Sequence, residues 1–149
     1  MTNSVRFRGN ESLTDSVKTP EVILNYIRQK FGEYYDPTPF IENFDSKKHK
    51  DGLTTEWEDF NFCNPPFTRG MAFVKKAHSE FKNHGRRSLV LGKLIWMSRD
   101  YAKAVMKDVE ILLLGKVKFI GYSGKSQFGV ILIYFGGTPG KFTFVDMEE

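Results

Sequence analysis

The chain has 149 residues, 40% of them apolar and 27% charged, the proportions of a globular domain able to bury one substantial core. Its 22 basic and 18 acidic residues leave a net charge of +4, which permits nucleic-acid binding without requiring it. The lone cysteine, Cys63, excludes an intrachain disulfide and a cysteine-based metal cluster and suits a reducing, cytoplasmic setting, while the polar opening MTNSVRFRGNES lacks a signal-peptide core and no apolar run approaches a membrane span.

Residues 1–14 read as irregular. Thr19 and Pro20 make a helix start, a cap followed by a first helical residue. The following EVILNYIRQKF puts Ile23, Leu24, Ile27 and Phe31 on one face, with a stop at Gly32. Glu33 to Asp36 reads as a short strand ended by Pro37-Thr38-Pro39. An acidic residue at the carboxyl end of a buried strand recurs in the cofactor sites of open α/β sheets. Residues 40–55 are polar, with a basic cluster at Lys47-Lys48-His49-Lys50 and a turn signal at Asp51-Gly52. Phe60 to Cys63 is a strand that runs into Asn64-Pro65-Pro66-Phe67. An amphipathic helix then covers Gly70 to Lys82, followed by a strand over Ser88–Gly92 and a short helix over Arg99–Lys107. Asp108–Leu114 and Lys116–Ile120 read as strand pieces broken at Gly115. After a loop, Val130–Phe135 (VILIYF) is a buried strand, and Lys141–Val145 an edge strand. Early strands alternate with helices and the chain closes on strands. That order predicts an α/β fold in a single domain over 1–149, a mostly parallel sheet with antiparallel strands toward its C-terminal end.

Gly121-Tyr122-Ser123-Gly124-Lys125-Ser126 ends like a phosphate loop, but Phe119 stands where that motif needs glycine and a strand follows where it needs a helix. Lys125 remains a candidate contact to a phosphate backbone. His49, His78 and His84 have no metal-ligand spacing, so no metal is expected. Cys63 reads as a small buried hydrophobe rather than a nucleophile. Phe67, Trp96 and Phe128 are candidates for lining a cleft. The double proline is the most informative stretch. Adjacent prolines continue neither a helix nor a central ladder, so they fix a rigid turn. That turn holds an amide side chain, a proline carbonyl and an aromatic face together, a unit able to grip a flat, amino-bearing ring by its edge and its face.

Asn64-Pro65-Pro66-Phe67 resembles the Asp/Asn-Pro-Pro-Tyr/Phe signature of methyltransferases that modify exocyclic amino groups. Over residues 15 to 136 the chain is similar to the phage-type DNA adenine methyltransferases. Asp15 and Thr19-Pro20 precede the first helix, Phe31-Gly32 ends it, and Asp36 ends the next strand. Asp51-Gly52-Leu53, Trp57 and the double proline then follow in the family's order, as do later pieces at Ser88–Leu91, Arg99–Lys107, Gly115–Phe119 and Val130–Phe135. The resemblance implies a compact Rossmann-like class I methyltransferase sheet, S-adenosylmethionine as methyl donor and adenine in DNA as acceptor, in a bacterial host's cytoplasm if phage encoded. Thr19, Pro20 and Asp36 would then approach the donor's methionine part, and Asp51 and Leu53 its adenine or ribose side, with Asp45 the alternative ribose carboxylate. Asn64 and Pro65 would accept from the target amino group beside Pro66, and Phe67 would stack on an extruded base. Arg69, Lys93, Arg99 and Lys125 are the candidate DNA contacts, with target recognition from these loops or from a protein partner. Two other readings of the same residues are an inactive relative that binds nucleic acid and an amino-methyltransferase acting on cytosine, RNA or a protein amide.

Overall fold

A proline and a glycine bound the first helix as their backbone chemistry dictates. In the computed structural model, which describes residues 17–39 and 51–147, α1 (Glu21–Phe31) begins after Pro20 and ends at Gly32, which takes a φ of 94° and donates its N–H to the Arg28 carbonyl. Ile23 and Ile27 are fully buried, and Leu24 and Phe31 pack against the same core. Thr19 does not cap the helix. Pro20 holds the cap position itself, in extended backbone conformation and with no side-chain cap, and the Thr19 hydroxyl is engaged elsewhere.

The sheet has five strands in the order β1 (Phe60–Cys63), β2 (Arg87–Lys93), β4 (Val130–Phe135), β3 (Val109–Gly115) and β5 (Phe142–Phe144). β1 is parallel to β2 and β5 to β3, whereas β4 is antiparallel to both of its neighbours. Four strands therefore share one direction and β4 alone opposes them; because β4 lies inside the sheet, two ladders are parallel and two antiparallel, a mixed sheet rather than a mostly parallel one. Of the strand expected over Glu33–Asp36, only Tyr35 pairs, through a parallel bridge to Asn61 on the outer side of β1. Pro37 follows at once and has no N–H to extend the ladder.

The expected strand over 116–120 is absent. β3 stops at Gly115, which takes a φ of 81°. Val117 and Phe119 are nevertheless buried while Lys116, Lys118 and Ile120 are exposed. This period of two mimics a strand, but Val117 bonds Ser126 instead: its N–H donates to Ser126 Oγ at 3.1 Å and its carbonyl accepts from Ser126 N–H at 2.8 Å.

Both faces of the sheet are covered, which is why VILIYF is apolar throughout. Alternation along β2 sends Leu89 and Leu91 toward α1, and Val90 toward α2 (Gly70–His84) with Phe73, Val74 and Ala77. A short helix, α3 (Asp100–Val105), follows a 3-10 turn over Leu94–Ser98. Trp96 in that turn is buried, and its ring fills the space that side chains on Gly70 and Gly92 would occupy. It is a packing element rather than part of a cleft.

Strand direction gathers the connecting segments at one end. β1 runs into Asn64. Lys93, the last residue of β2, and Gly115, the last of β3, both lie in register with Val130, the first of β4.

Candidate active site at the carboxyl ends of the strands

Asn61 and Asn64 flank the end of β1. Asn61 is fully buried and saturated: its Oδ1 accepts from Glu58 N–H at 2.9 Å, and its Nδ2 donates to the carbonyls of Glu58 at 2.8 Å and Arg87 at 3.0 Å. It staples β1 to β2. Asn64 differs. Its Nδ2 donates to the Val17 carbonyl at 2.8 Å and to Thr19 Oγ1 at 2.9 Å, while its Oδ1 is buried with no hydrogen-bond partner among the described residues. A carbonyl only accepts, so Val17 fixes which end of the amide is which. The open position is therefore an acceptor. An orphaned buried acceptor costs about 1–3 kcal/mol and marks a place where a donor is expected.

Thr38 completes the support. Its Oγ1 accepts from the Asn64 backbone N–H at 3.0 Å and donates toward Asp36 Oδ1 at 3.2 Å. The Thr38 N–H donates to the same oxygen at 2.8 Å. The Thr38 hydroxyl also lies 3.6 Å from Cys63 Sγ, and its one proton favours the carboxylate, the stronger acceptor. Burial raises the Asp36 carboxyl above its ordinary range, against the two Thr38 hydrogen bonds. Burial likewise pushes the Cys63 thiol far up, which keeps it protonated and unreactive.

These groups line a cavity of about 350 Å³, within the range of small-ligand sites. Thr19, Asp36, Thr38, Gly52 and Asn64 are on its wall, with the apolar faces of Tyr34, Phe62 and Phe73. Gly52 approaches so closely that a side chain there would collide with the Pro37 carbonyl, and the Gly52 carbonyl accepts from the Trp57 indole N–H at 2.9 Å. Asp51 accepts from Leu53 N–H at 2.9 Å and pairs with Arg69 at 2.9 Å. The Leu53 bond and then Arg69 hold its carboxyl below the usual range.

The structure thus brings Thr19, Asp36, Asp51, Asn64, Pro66 and Arg69 to one cavity. Pro20 heads α1, Pro65 is buried beneath the turn, and Leu53 packs on the α2 side of the sheet. Phe67 lies beside the cavity, edge-on to Phe128 at 5.6 Å, with Lys93 Nζ 4.5 Å from its ring centroid and 4.6 Å from that of Phe128. Arg99 and Lys125 are exposed on the neighbouring segments. Asp15 and Asp45 lie outside the described residues. Thr38 is the functional residue the sequence reading missed. The Asp36-Pro37-Thr38 spacing, in which an aspartate bonds the backbone two residues on, was its available signal.

The donor set suits S-adenosylmethionine: a desolvated carboxylate, threonine hydroxyls, a side-chain-free approach at Gly52 and aromatic walls are matched to a ligand with a charged amino-acid end and a flat base. The family described as DNA N-6-adenine-methyltransferase (Dam) matches residues 8–129. No curated protein and no solved structure matches the chain. The match takes in α1, the cavity, the double-proline turn and β1 to β3, so the chain belongs to the DNA N-6-adenine-methyltransferase (Dam) family, which methylates adenine in DNA with S-adenosylmethionine as donor.

Proposed function

We propose that Asn64, Pro65, Pro66 and Phe67 form the site that receives the target adenine, and that the cavity between Thr19, Asp36 and Asp51 receives the methyl donor. When bound, S-adenosylmethionine supplies an electrophilic methyl group; the chain supplies orientation and charge stabilisation. The exocyclic amino nitrogen is a poor nucleophile because its lone pair is delocalised into the ring. Asn64 Oδ1 and the Pro65 carbonyl accept its two hydrogens, favour the geometry in which the lone pair is free to attack, and stabilise positive charge as it develops on nitrogen. The surplus proton leaves afterward, so no strong general base is needed. Thr19 and Thr38 clamp Asn64 at its side chain and its backbone and keep that acceptor in place. Asn64 Oδ1 is shielded from solvent, so the amino group reaches it only once neighbouring groups part. Phe67 offers a face to the extruded base, with the Lys93 ammonium positioned to yield that face and take a phosphate.

The observation that carries this reading is the buried Asn64 Oδ1, which has no hydrogen-bond partner among the described residues and whose identity is fixed by Val17. Asn64→Ala is expected to lower methyl transfer to DNA at least 100-fold, in line with loss of one preorganised electrostatic group, with cofactor affinity by calorimetry unchanged within a few-fold. Transfer at the wild-type rate would refute the role given to Asn64.

Arg69, Lys93, Arg99 and Lys125 are assigned to the DNA backbone, Arg69 by exchanging Asp51 for a phosphate. Among the described residues there is no second layer of elements for reading a sequence. Target recognition is therefore assigned to the loops at this end of the sheet, or to a protein partner docked beside them. With a single cysteine and so no intrachain disulfide, the protein is assigned to a reducing cytoplasm, that of a bacterial host if phage encoded. No helix among the described residues is long and apolar enough to cross a membrane.

A further inference from the structure

We propose that Ile95 is a wedge that enters duplex DNA beside the target adenine and holds open the gap from which the base leaves, with Ile120 a second apolar tip on the segment tied to its own. The proposal rests on the reading that DNA meets the carboxyl ends of the strands.

Ile95 is 68% exposed and Ile120 53% exposed. Scattered exposed apolar side chains are ordinary on a protein surface; what distinguishes these two is their setting. The segments 93–99 and 115–129 contain Lys93, Arg99, Lys116, Lys118 and Lys125 and no aspartate or glutamate, although Asp100 follows directly. They leave β2 and β3 at ends that share register with Val130, and Leu94 N–H donates to the Gly129 carbonyl at 2.8 Å, which ties one segment to the other. Two large apolar tips thus stand on segments that are basic and, up to Asp100, carry no acid, one of them two residues from Lys93 and its pair of aromatic rings. That combination fits a polyanion whose interior is apolar and stacked.

The backbone under Ile95 is anchored. Trp96, the next residue, is buried against Gly70 and Gly92, and the Ile95 carbonyl accepts from Ser98 Oγ at 2.8 Å. A firmly held, branched side chain pressed between bases offsets part of the cost of unstacking, as apolar wedges do in proteins that kink or open DNA, and that cost is lowest where a base is missing or mismatched.

The test measures affinity for a duplex with one abasic site against the intact duplex, by fluorescence anisotropy at fixed salt. Wild type is expected to prefer the abasic duplex at least fivefold. Ile95→Ala should bring that preference below twofold, and Ile95→Leu should restore it. Asn64→Ala, expected to be inactive in transfer, should keep the full preference. A wild type with no preference, or Ile95→Ala with an undiminished one, overturns the wedge whatever the methylation assay shows. An intact preference with Asn64→Ala still active leaves the wedge standing and removes the catalytic reading instead.

Discussion

Asn61 and Asn64 carry the same amide three residues apart, and their surroundings give them opposite tasks. Every hydrogen-bonding need of Asn61 is met by the backbone of Glu58 and Arg87; Asn64 is held by its NH2 and left with an open acceptor. The same geometry separates asparagine from aspartate at this position. In Asn64→Asp an oxygen would face the Val17 carbonyl where a donor now sits, and we expect a loss of about 1–3 kcal/mol in stability by urea denaturation, together with loss of transfer. Thr38→Val removes the acceptor for the Asn64 N–H and a donor to Asp36, with a similar expected cost of about 1–3 kcal/mol and a fall in transfer that Thr38→Ser largely restores. Asp36 trades stability for its place in the cavity. Its folded carboxyl keeps a proton to higher pH than the unfolded one, so the folded state binds more protons and stability declines as pH rises from 3.8 through the raised folded value. Asp36→Asn is therefore expected to be more stable than wild type at pH 7 and to lose that advantage as the pH falls toward 4 in denaturant titrations, while binding the cofactor more weakly.

At the scale of elements, what was legible in the sequence is what one local signal determines. The helix over Glu21–Phe31 follows from its spacing and from Gly32, and β4 from its unbroken apolar run. The failures are places where that local signal is shared by two structures. Residues 116–120 alternate in burial like a strand, yet Ser126 takes the backbone bonds of Val117 and Tyr122 that of the Phe119 carbonyl. Thr19-Pro20 reads as a cap and first turn, yet the hydroxyl is drawn to Asn64, 45 residues on. The Trp96 turn shows the same dependence on distant chain, because it needs bare backbone at both Gly70 and Gly92. Gly92→Ala forces a methyl into the indole ring and is expected to cost about 1–3 kcal/mol, read as a lowered urea midpoint with unchanged slope.

Across the whole molecule, direction in the sheet does the assembling. The family resemblance placed Asp36, Asp51 and Asn64 in one site from their order alone, but nothing in that order showed that Thr38 would join two of them, since the link spans 26 residues. The α2 side of the fold leans on one buried charge. Burial pushes the Glu80 carboxyl up, but Arg86 at 2.7 Å, Lys76 at 3.1 Å and the Trp57 N–H outweigh it, and the net shift is downward. Its contribution is present above the ordinary glutamate range and is lost as pH falls through the lowered folded value. Glu80→Gln should accordingly be less stable than wild type at pH 7, with the gap closing below pH 4.

β4 has a consequence for how the chain comes into being. It lies between β2 and β3, which do not pair with each other, and it is made after both. A ribosome that has released residues only as far as Gly129 has produced an open edge on β2 and a β3 with neither of its partners, the state in which nascent chains aggregate or engage chaperones. The last strand of the core thus acts as a late keystone. The register that brings Asn64, Lys93 and Gly115 to one end is completed only when Val130–Phe135 slides between its neighbours, so competence to methylate DNA should be acquired in one step, once β4 has been made.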